Sequence, residues 1–468
     1  MDRLATNMPS LFSPKSVAVI GASDNMNKLG FHVMKSLTNG KFSGKIIPIN
    51  PTSNKVMGIN AYPSINDYND LIDLAIVVLP AKLVPRIFQE CVDKGIKGIV
   101  LITAGFREID DPAGANLHEK TADIVNRAGI PVIGPNTFGM INLNGNLNAS
   151  FTPEFSNLRK GNICLVSQSG GISHLLAFMA MELNVGFSKI IGLGNRLNVD
   201  FDRMINYLMT DPDTKVIALY IEGIDDVRKL IETARKNRGQ KPIIAYKTGK
   251  GKVGNQASMS HTGSMAGRHE LYRSAFNQAG ILNIDNTETL LDTAKAMSLC
   301  PLPEGPAMAV LSGQAGPSIA ACDLLESEGL KIDGFTRKTQ EKINDLLPPL
   351  ALRANPVDMG PAWYDSSAMQ GIIRAVMDDE NVSGILFLMM FASANVDALK
   401  GVRDILIKWA QQKPVISCIL SPPGIWDEEI NELEKFRAIV NYPTPERAAM
   451  AMVNLWRYKR IKETMELN

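Results

Sequence analysis

The amino-acid sequence predicts an α/β protein in which parallel sheets carry helices on both faces. Short apolar runs such as 74-LAIVVLPA-81 alternate with amphipathic segments of helix length such as 82-KLVPRIFQECVDKG-95. The runs do not alternate apolar with polar residues, so both faces of each strand are expected to be buried, as in a parallel sheet. Strands that alternate with helices in this way are typical of doubly wound folds.

The elements fall into three series along the chain. The first has predicted strands at 16–21, 45–50, 73–80, 97–105 and 131–136, with helices at 30–39, 82–95 and 114–129. The second has strands at 162–171, 187–194, 215–223 and 241–249, with helices at 173–184, 202–212 and 226–237. The third has strands at 307–316, 384–393 and 413–422, with a helix at 318–329.

The second and third series resemble each other, which predicts two copies of one α/β unit. The turn VSQSGGISHLLAF matches LSGQAGPSIAACD, and KPIIAYKTG matches KPVISCILSP. In this pairing Glu222 lies opposite Met390, whereas His261 has no counterpart. With a linker near 296–306, the chain is expected to form three domains, at 1–145, 146–297 and 298–468.

Charge and cysteine usage exclude several classes of protein. The 49 Lys and Arg residues balance 48 Asp and Glu residues, so no net charge attracts nucleic acid or anionic lipid. The five cysteines are scattered without a CxxC pair, which favours reduced thiols and a cytoplasmic location, and predicts no metal site. The longest apolar runs have the length of strands, so no membrane association is expected.

The turn 19-VIGASDNMNKLG-30 follows the first strand and precedes a helix. Such glycine-bearing turns let the backbone approach a phosphate, although a purely structural turn has the same appearance. An NAD-binding fold normally carries Asp or Glu at the end of the second strand, where this sequence has Asn50. A dehydrogenase is therefore disfavoured. The ends of later strands, at Pro80, Thr103, Ala104 and Asn136, are expected at the same ligand-binding edge of the sheet.

The turn 167-SQSGG-171 offers hydroxyl groups, backbone N–H groups and a positive helix end. These groups suit a tetrahedral oxyanion, and Ser167, Ser169, Gly170 and Gly171 are the candidate ligands. The alternative is a simple helix N-cap, a position that serine often fills. The pattern lacks the GxSxG spacing of a serine-hydrolase elbow.

His261 stands in 257-ASMSHTGSMAG-267, a segment of small residues that predicts a loop with space around the imidazole. The hydroxyl and N–H groups of this segment suit a phosphoryl group. A zinc site is disfavoured, because no second His or Cys lies nearby in the sequence. Glu222 ends an apolar strand, where a carboxylate is either solvated or orients a neighbouring histidine. The other histidines, at positions 32, 118, 174 and 269, lie in predicted helices and need no special role.

Five motifs together resemble the NDP-forming acyl-CoA synthetases, most closely the α-subunit type of the ADP-forming acetyl-CoA synthetases. They are 17-VAVIGAS-23, 134-GPNTFG-139, 167-SQSGG-171, 220-YIEG-223 and 260-SHTGSMAG-267. The resemblance covers nearly the whole chain. It implies a Rossmann-like CoA-binding domain followed by two flavodoxin-like domains with parallel sheets, similar to those of succinyl-CoA synthetase.

The resemblance also implies site residues. His261 resembles the histidine that is transiently phosphorylated, Glu222 the acid that hydrogen-bonds its imidazole, and the 167–171 turn the phosphate site. The expected CoA contacts are Gly21, Ala22, Ser23, Asn50, Pro80, Thr103, Ala104 and Asn136.

The implied reaction interconverts acyl-CoA, ADP and phosphate with a carboxylic acid, ATP and CoA. No ATP-grasp segment is apparent in the sequence, so ATP, ADP and Mg²⁺ are expected on a separate ATP-grasp β subunit, in a hetero-oligomer. The alternative is a non-catalytic sensor or scaffold that binds CoA or acyl-CoA through the same fold. Such a protein has little reason to keep both Glu222 and His261.

Overall fold

A computed structural model describes residues 2–262, 269–349 and 352–466, without the side chains of residues 259–262, 269 and 466. The chain forms two compact units, one that ends at Thr287 and one that begins at Glu288. Within the described ranges, no helix combines the length and the apolarity needed to cross a bilayer.

The first sheet of the first unit has five parallel strands in the order β2-β1-β5-β6-β7. Its strands are β1 Ser16–Ile20, β2 Lys45–Ile49, β5 Leu74–Val77, β6 Gly98–Leu101 and β7 Val132–Ile133, and a small antiparallel pair is formed by β3 Lys55–Val56 and β4 Ile59–Asn60. The helices are α1 Arg3–Asn7, α2 Pro9–Phe12, α3 Leu29–Asn39, α4 Val84–Asp93 and α5 Pro112–Ala128.

The second sheet of this unit has seven strands in the order β14-β13-β12-β10-β11-β8-β9. Its strands are β8 Gly139–Asn142, β9 Leu147–Ser150, β10 Lys160–Ser167, β11 Phe187–Gly192, β12 Val216–Ile221, β13 Ile243–Lys247 and β14 Ile281–Ile284. The helices are α6 Gly170–Glu182, α7 Phe201–Thr210, α8 Val227–Lys236, α9 Lys252–Thr262 and α10 His269–Ala279.

Strands β8 and β9 form an antiparallel hairpin on one edge of the second sheet. The boundary predicted at residue 145 falls inside this hairpin, so the chain enters the second sheet before the predicted position. One hydrophobic core contains Val19 and Ile133 of the first sheet together with Val166 and Ile191 of the second. The shared core explains why the two sheets belong to one compact unit.

The side-chain amide of Asn198, in the loop after β11, hydrogen-bonds to the main chain at the start of β7. Its Oδ1 accepts a hydrogen bond from Val132 N at 2.9 Å, and its Nδ2 donates to Ile130 O at 2.9 Å. The amide therefore satisfies backbone groups at the start of β7, which would otherwise be costly to bury.

The second unit has one parallel sheet in the order β16-β15-β17-β18-β19. The strands are β15 Met308–Ser312, β16 Val357–Asp358, β17 Gly384–Met390, β18 Val415–Leu420 and β19 Val440–Asn441. The helices are α11 Thr287–Leu299, α12 Ala315–Ser327, α13 Arg337–Leu346, α14 Ser366–Met377, α15 Val402–Trp409, α16 Asp427–Lys435 and α17 Pro445–Glu466.

Helix α11 is held to the rest of the second unit by hydrogen bonds to Asp292. Arg447 makes two hydrogen bonds to the Asp292 carboxylate, at 2.8 and 2.7 Å, and Tyr442 donates to Asp292 O at 2.6 Å. The predicted division at residue 297 would cut this helix, although the three-domain division itself stays a prediction. The α/β class with parallel sheets is confirmed.

The predicted internal repeat is visible in local contacts as well as in sequence. Lys241 Nζ donates to Leu208 O at 2.7 Å and to Asp211 O at 2.5 Å. In the second unit Lys413 Nζ donates to Met377 O at 3.0 Å and to Asp379 O at 2.6 Å. Each lysine thus binds carbonyl oxygens at the end of a helix and in the turn that follows it, α7 in the first unit and α14 in the second.

Candidate active site

A cavity of about 380 Å³ in the first unit brings together two groups of predicted site residues. Ala104 and Asn136 come from the predicted CoA edge, whereas Gly170 and Gly171 come from the predicted phosphate turn. The other lining residues are Leu29, Ile102, Thr137, Phe138, Phe151, Gln168, His174, Gly194 and Asn195. The two predicted half-sites therefore share one space.

The turn before α6 is held by its two serines. Ser169 is the N-cap, and its hydroxyl accepts a hydrogen bond from Ile172 N at 3.3 Å. Ser167 is fully buried, donates to Ser169 O at 2.9 Å and accepts from Ser169 N at 3.1 Å. Neither serine lines the cavity, so their hydroxyl groups stabilise the turn. Gly170 and Gly171 form the part of the turn that lines the cavity.

Gly170 and Gly171 occupy the first two positions of α6 and face the cavity. A Cβ atom at Gly171 would come no closer than 3.9 Å to Ser169 Oγ, so packing does not require glycine there. The first N–H groups of a helix lack intrahelical acceptors and carry partial positive charge. The absence of side chains leaves these groups accessible to an anion.

Glu222 directly follows β12 and is 8% exposed. Its backbone N donates to Gln168 Oε1 at 2.6 Å, and Gly223 N donates to the same oxygen at 3.0 Å. The amide of Gln168 therefore fixes the end of the strand that carries the predicted acid. Sequence analysis did not single out Gln168, although its position in the repeated turn was a usable signal.

Lys247 is a second residue that sequence analysis missed. It ends β13, pairs in register with Ile221 and is 3% exposed. Its Nζ donates to Glu222 O at 2.8 Å and lies 5.1 Å from the centre of the Tyr272 ring. Burial lowers the pKa of Lys247 to about 8, while the charge of Glu222 opposes that shift. A buried cation thus lies beside the predicted catalytic acid.

His261 lies in the last turn of α9, and its side chain falls outside the described residues. The prediction of a loop over the whole 257–267 segment was wrong for residues 257–262, which are helical. The run 252-KVGNQASMSHT-262 contains a single glycine and no proline, so its small residues are compatible with a helix. The predicted role of His261 stays a prediction.

The first turn has the close backbone approach expected of a phosphate-binding turn. Gly21 has a φ of 100°, and a Cβ atom at Gly30 would lie 2.0 Å from Gly21 O. Asn50 supports the turn from the neighbouring strand, because its Nδ2 donates to Ala22 O at 2.8 Å. Ser23 Oγ accepts from Asn25 N at 3.1 Å. The side chains of Asn50 and Ser23 therefore shape the turn, and Ala22 is buried within it.

The remaining predicted CoA contacts lie on loops at the same sheet edge. Thr103 Oγ1 donates to Leu79 O at 2.7 Å, which ties two strand ends together, and Pro80 is exposed beside them. Asn136, with a φ of 56°, donates from Nδ2 to Asn195 Oδ1 at 3.4 Å. Of these four predicted contacts, Ala104 and Asn136 reach the cavity, whereas Thr103 and Pro80 do not line it.

His174 lies in helix α6 as expected, and it also lines the cavity. Its Nδ1 is 2.7 Å from Gly170 O and its Nε2 is 2.8 Å from Thr152 Oγ1. The ring packs beside Phe155, with centroids 4.7 Å apart, and Phe138, with centroids 5.6 Å apart. One wall of the cavity is thus aromatic and rigidly hydrogen-bonded.

Comparison with known proteins identifies the family of this chain. Residues 15–142 match the CoA binding domain family, and residues 160–297 match the succinyl-CoA ligase like flavodoxin domain. The α subunit of an ADP-forming acetate–CoA ligase II from Pyrococcus furiosus is 36% identical over 449 residues, with 94% of this chain and 95% of that one covered. This chain belongs to the NDP-forming acyl-CoA synthetase family. Its resemblance to that family, and its enzyme class as an ADP-forming acid–CoA ligase, are confirmed.

Solved and single-chain relatives extend the comparison. An acetyl-coenzyme A synthetase 1 from Candidatus Korarchaeum cryptofilum, solved with phosphate and ADP, has a TM-score of 0.90 and 32% identity, with 98% of each chain covered. An ADP-forming acetate–CoA ligase from Methanocaldococcus jannaschii is 35% identical to this chain. The present chain spans 63% of the length of that relative. Because several relatives are named α subunits, a partner subunit belongs to this type of synthetase.

Proposed function

We propose that His261 is the phosphorylated residue of this acid–CoA ligase α chain and that Glu222 orients its imidazole. The cavity that joins Ala104 and Asn136 to Gly170 and Gly171 is the observation that carries the proposal. A thioester bound along the first group would present its carbonyl carbon to a phosphate held by the second. The first unit would thus hold both reactants of the first chemical step.

In the acyl-CoA direction, a phosphate oxygen attacks the thioester carbonyl. The carbon–sulfur bond breaks, CoA leaves as a thiolate that takes up a proton, and an acyl phosphate forms. A nitrogen of His261 then attacks phosphorus, the bond from phosphorus to the acyl oxygen breaks, and the carboxylate leaves. The phosphoryl group finally passes from the imidazole to ADP. Covalent catalysis divides one difficult transfer into easier reversible steps.

The protein environment supplies charge compensation for these steps. The N–H groups at Gly170 and Gly171 are oriented before reaction, so they stabilise phosphate charge with little reorganisation. Glu222, beside Lys247, would accept a hydrogen bond from the imidazole and stabilise the positive charge that develops on it. The turn at Gly21, supported by Asn50, would accept a phosphate group of CoA.

The nucleotide half of the reaction would take place on a separate β subunit of the ATP-grasp type. This partner would bind ADP or ATP with Mg²⁺, and the complex would be a cytoplasmic hetero-oligomer. The longer single-chain relative, of which this chain covers 63%, supports a further segment in the complete enzyme. The organic substrate is a small carboxylic acid.

A non-catalytic CoA sensor is the second candidate function. The buried Lys247 ammonium group beside Glu222 argues against it, because a buried charge costs stability and a protein that only binds CoA has no evident use for one. We expect His261→Ala to fold normally, to bind CoA, and to lose phosphoryl labelling from labelled ATP in the presence of the β subunit. Acid-labile label that persists on this variant would overturn the assignment.

A further inference from the structure

Gln168 has an amide group whose orientation is fixed by its neighbours. Its Oε1 accepts hydrogen bonds from Glu222 N at 2.6 Å and from Gly223 N at 3.0 Å. Both partners are N–H donors, so the oxygen rather than the nitrogen must face the end of β12. The nitrogen of the amide consequently points away from that strand end.

The Nε2 donor of Gln168 is buried and has no hydrogen-bond partner among the residues that the structure describes. Gln168 is only 5% exposed and lines the cavity together with Gly170 and Gly171. A buried donor without an acceptor costs about 1–3 kcal/mol, and native proteins rarely leave one unless a ligand or water completes it.

The second copy of the repeat shows that this arrangement is not required by the fold. Gln314 makes the corresponding contact from one position later in the turn, where it is the N-cap of α12 as Ser169 is the N-cap of α6. Its Oε1 accepts from Met390 N at 3.1 Å, and its Nε2 donates to Met390 O at 2.8 Å. Both ends of the Gln314 amide are therefore bonded to one strand. In the copy that carries Glu222, the amide still holds the strand end, but its donor has no partner among the described residues.

We propose that Gln168 is a catalytic residue whose Nε2 donates a hydrogen bond to an oxygen of the phosphate bound at the start of α6. This inference rests on the proposed function, because it adds a ligand to the same phosphate site. The amide and the helix N–H groups would approach the anion from two elements, the loop after β10 and the first turn of α6.

Phosphate is favoured over the carboxylate of the organic acid by position. Gln168 lies two residues before Gly170, and both residues line the same cavity, so one anion could contact both. A tetrahedral oxyanion has oxygens in several directions and can accept from both elements at once. Gln168 also holds the main chain of Glu222, so one side chain would couple the phosphate to the strand that carries the acid.

The test uses the full-length chain with inorganic phosphate as the probe. Gln168→Glu keeps an oxygen for the N–H groups of Glu222 and Gly223 but loses the donor. Gln168→Met loses the donor without adding charge. Isothermal titration with phosphate, and the phosphate KM of acetyl-CoA cleavage measured with ADP and the β subunit, should each show at least tenfold weaker phosphate use in both variants. The KM for acetyl-CoA should change less than twofold.

Gln314→Glu is the matched control in the second unit, and it should leave phosphate binding unchanged. If Gln168→Met does not fold, salt separates the two causes in Gln168→Glu, because charge repulsion is screened at high ionic strength whereas a missing donor is not restored. Wild-type phosphate affinity in either Gln168 variant, or no phosphate binding by the wild-type chain, would overturn the proposal. Phosphate binding that depends on Gln168 without any acyl-CoA cleavage would instead count against the proposed function alone.

Discussion

Lys247 Nζ donates a hydrogen bond to the main-chain oxygen of Glu222 at 2.8 Å, deep at the end of two neighbouring strands. The equivalent strands of the second unit carry Met390 and Ile419 at these positions, and Ile419 is 1% exposed. Acid and lysine are thus replaced together by apolar residues where no site is expected. The repeated unit can therefore fold without this pair.

We expect Lys247→Met to lower both phosphoenzyme formation and stability. The substitution removes the donor to Glu222 O and a buried positive charge near that residue, which should cost about 1–3 kcal/mol of unfolding free energy. The double variant Lys247→Ile with Glu222→Met copies the second unit and should recover most of that loss, although it remains inactive. Urea unfolding and labelling assays measure the two effects.

This prediction has an internal control in Lys413, which closes a helix–strand turn and contacts no catalytic residue. Lys413→Met should change stability without a selective effect on labelling. Additive stability losses from Lys247→Ile and Glu222→Met, with no recovery in the double variant, would show that the two residues act independently.

We expect Gly30→Ala to weaken CoA binding at least tenfold. The added Cβ would lie 2.0 Å from Gly21 O, so the helix and the turn would have to separate. Gly171→Ala is the comparison, because its Cβ meets nothing closer than 3.9 Å. That variant should keep its thermal unfolding temperature and its CoA affinity while it obstructs phosphate. Calorimetric titration with CoA and with phosphate distinguishes the two variants. A CoA affinity of Gly30→Ala equal to that of the wild type would contradict the proposed binding of CoA at the Gly21 turn.

Stability should decrease in acid partly because of His118. Burial, assisted by the charge of Arg107, lowers the pKa of His118 to about 4 from an ordinary value of 6.5. The unfolded chain then binds the proton more readily, so this contribution is complete above pH 6.5 and is lost as the pH falls toward 4. Each pH unit in that window is worth about 1.4 kcal/mol. Denaturant unfolding of wild type and His118→Leu should show a steeper pH dependence in the wild type. Parallel curves would refute the prediction.

Much of the fold was predictable because its strands are buried on both faces and its turns repeat. The hairpin Gly139–Asn142 and Leu147–Ser150 was not predicted, since its residues do not form a long apolar run. This hairpin forms the edge of a sheet whose other strands come later in the chain. The order of the strands in the sequence does not show which of them forms the edge of the sheet.

The site was predictable as a set of segments but less so as a set of side-chain roles. Gly170 and Ala104 were predicted and do face one cavity. Ser167 and Asn50 were predicted as contacts, yet their polar atoms hold backbone turns. Lys247 was missed because a lysine at the end of a strand is normally solvated. Only the packing of the neighbouring strands shows that its ammonium group is buried beside Glu222.

The central claim is that a phosphoryl group passes through His261. Incubation of the chain with acetyl-CoA and radiolabelled inorganic phosphate tests it without the partner subunit, and a panel of other acyl-CoA thioesters covers the unknown acid. We expect acid-labile label on the peptide that contains His261, strongly reduced in Glu222→Gln and absent in His261→Ala. Label on another residue, label that persists in His261→Ala, or an unlabelled wild-type chain with every thioester would contradict it.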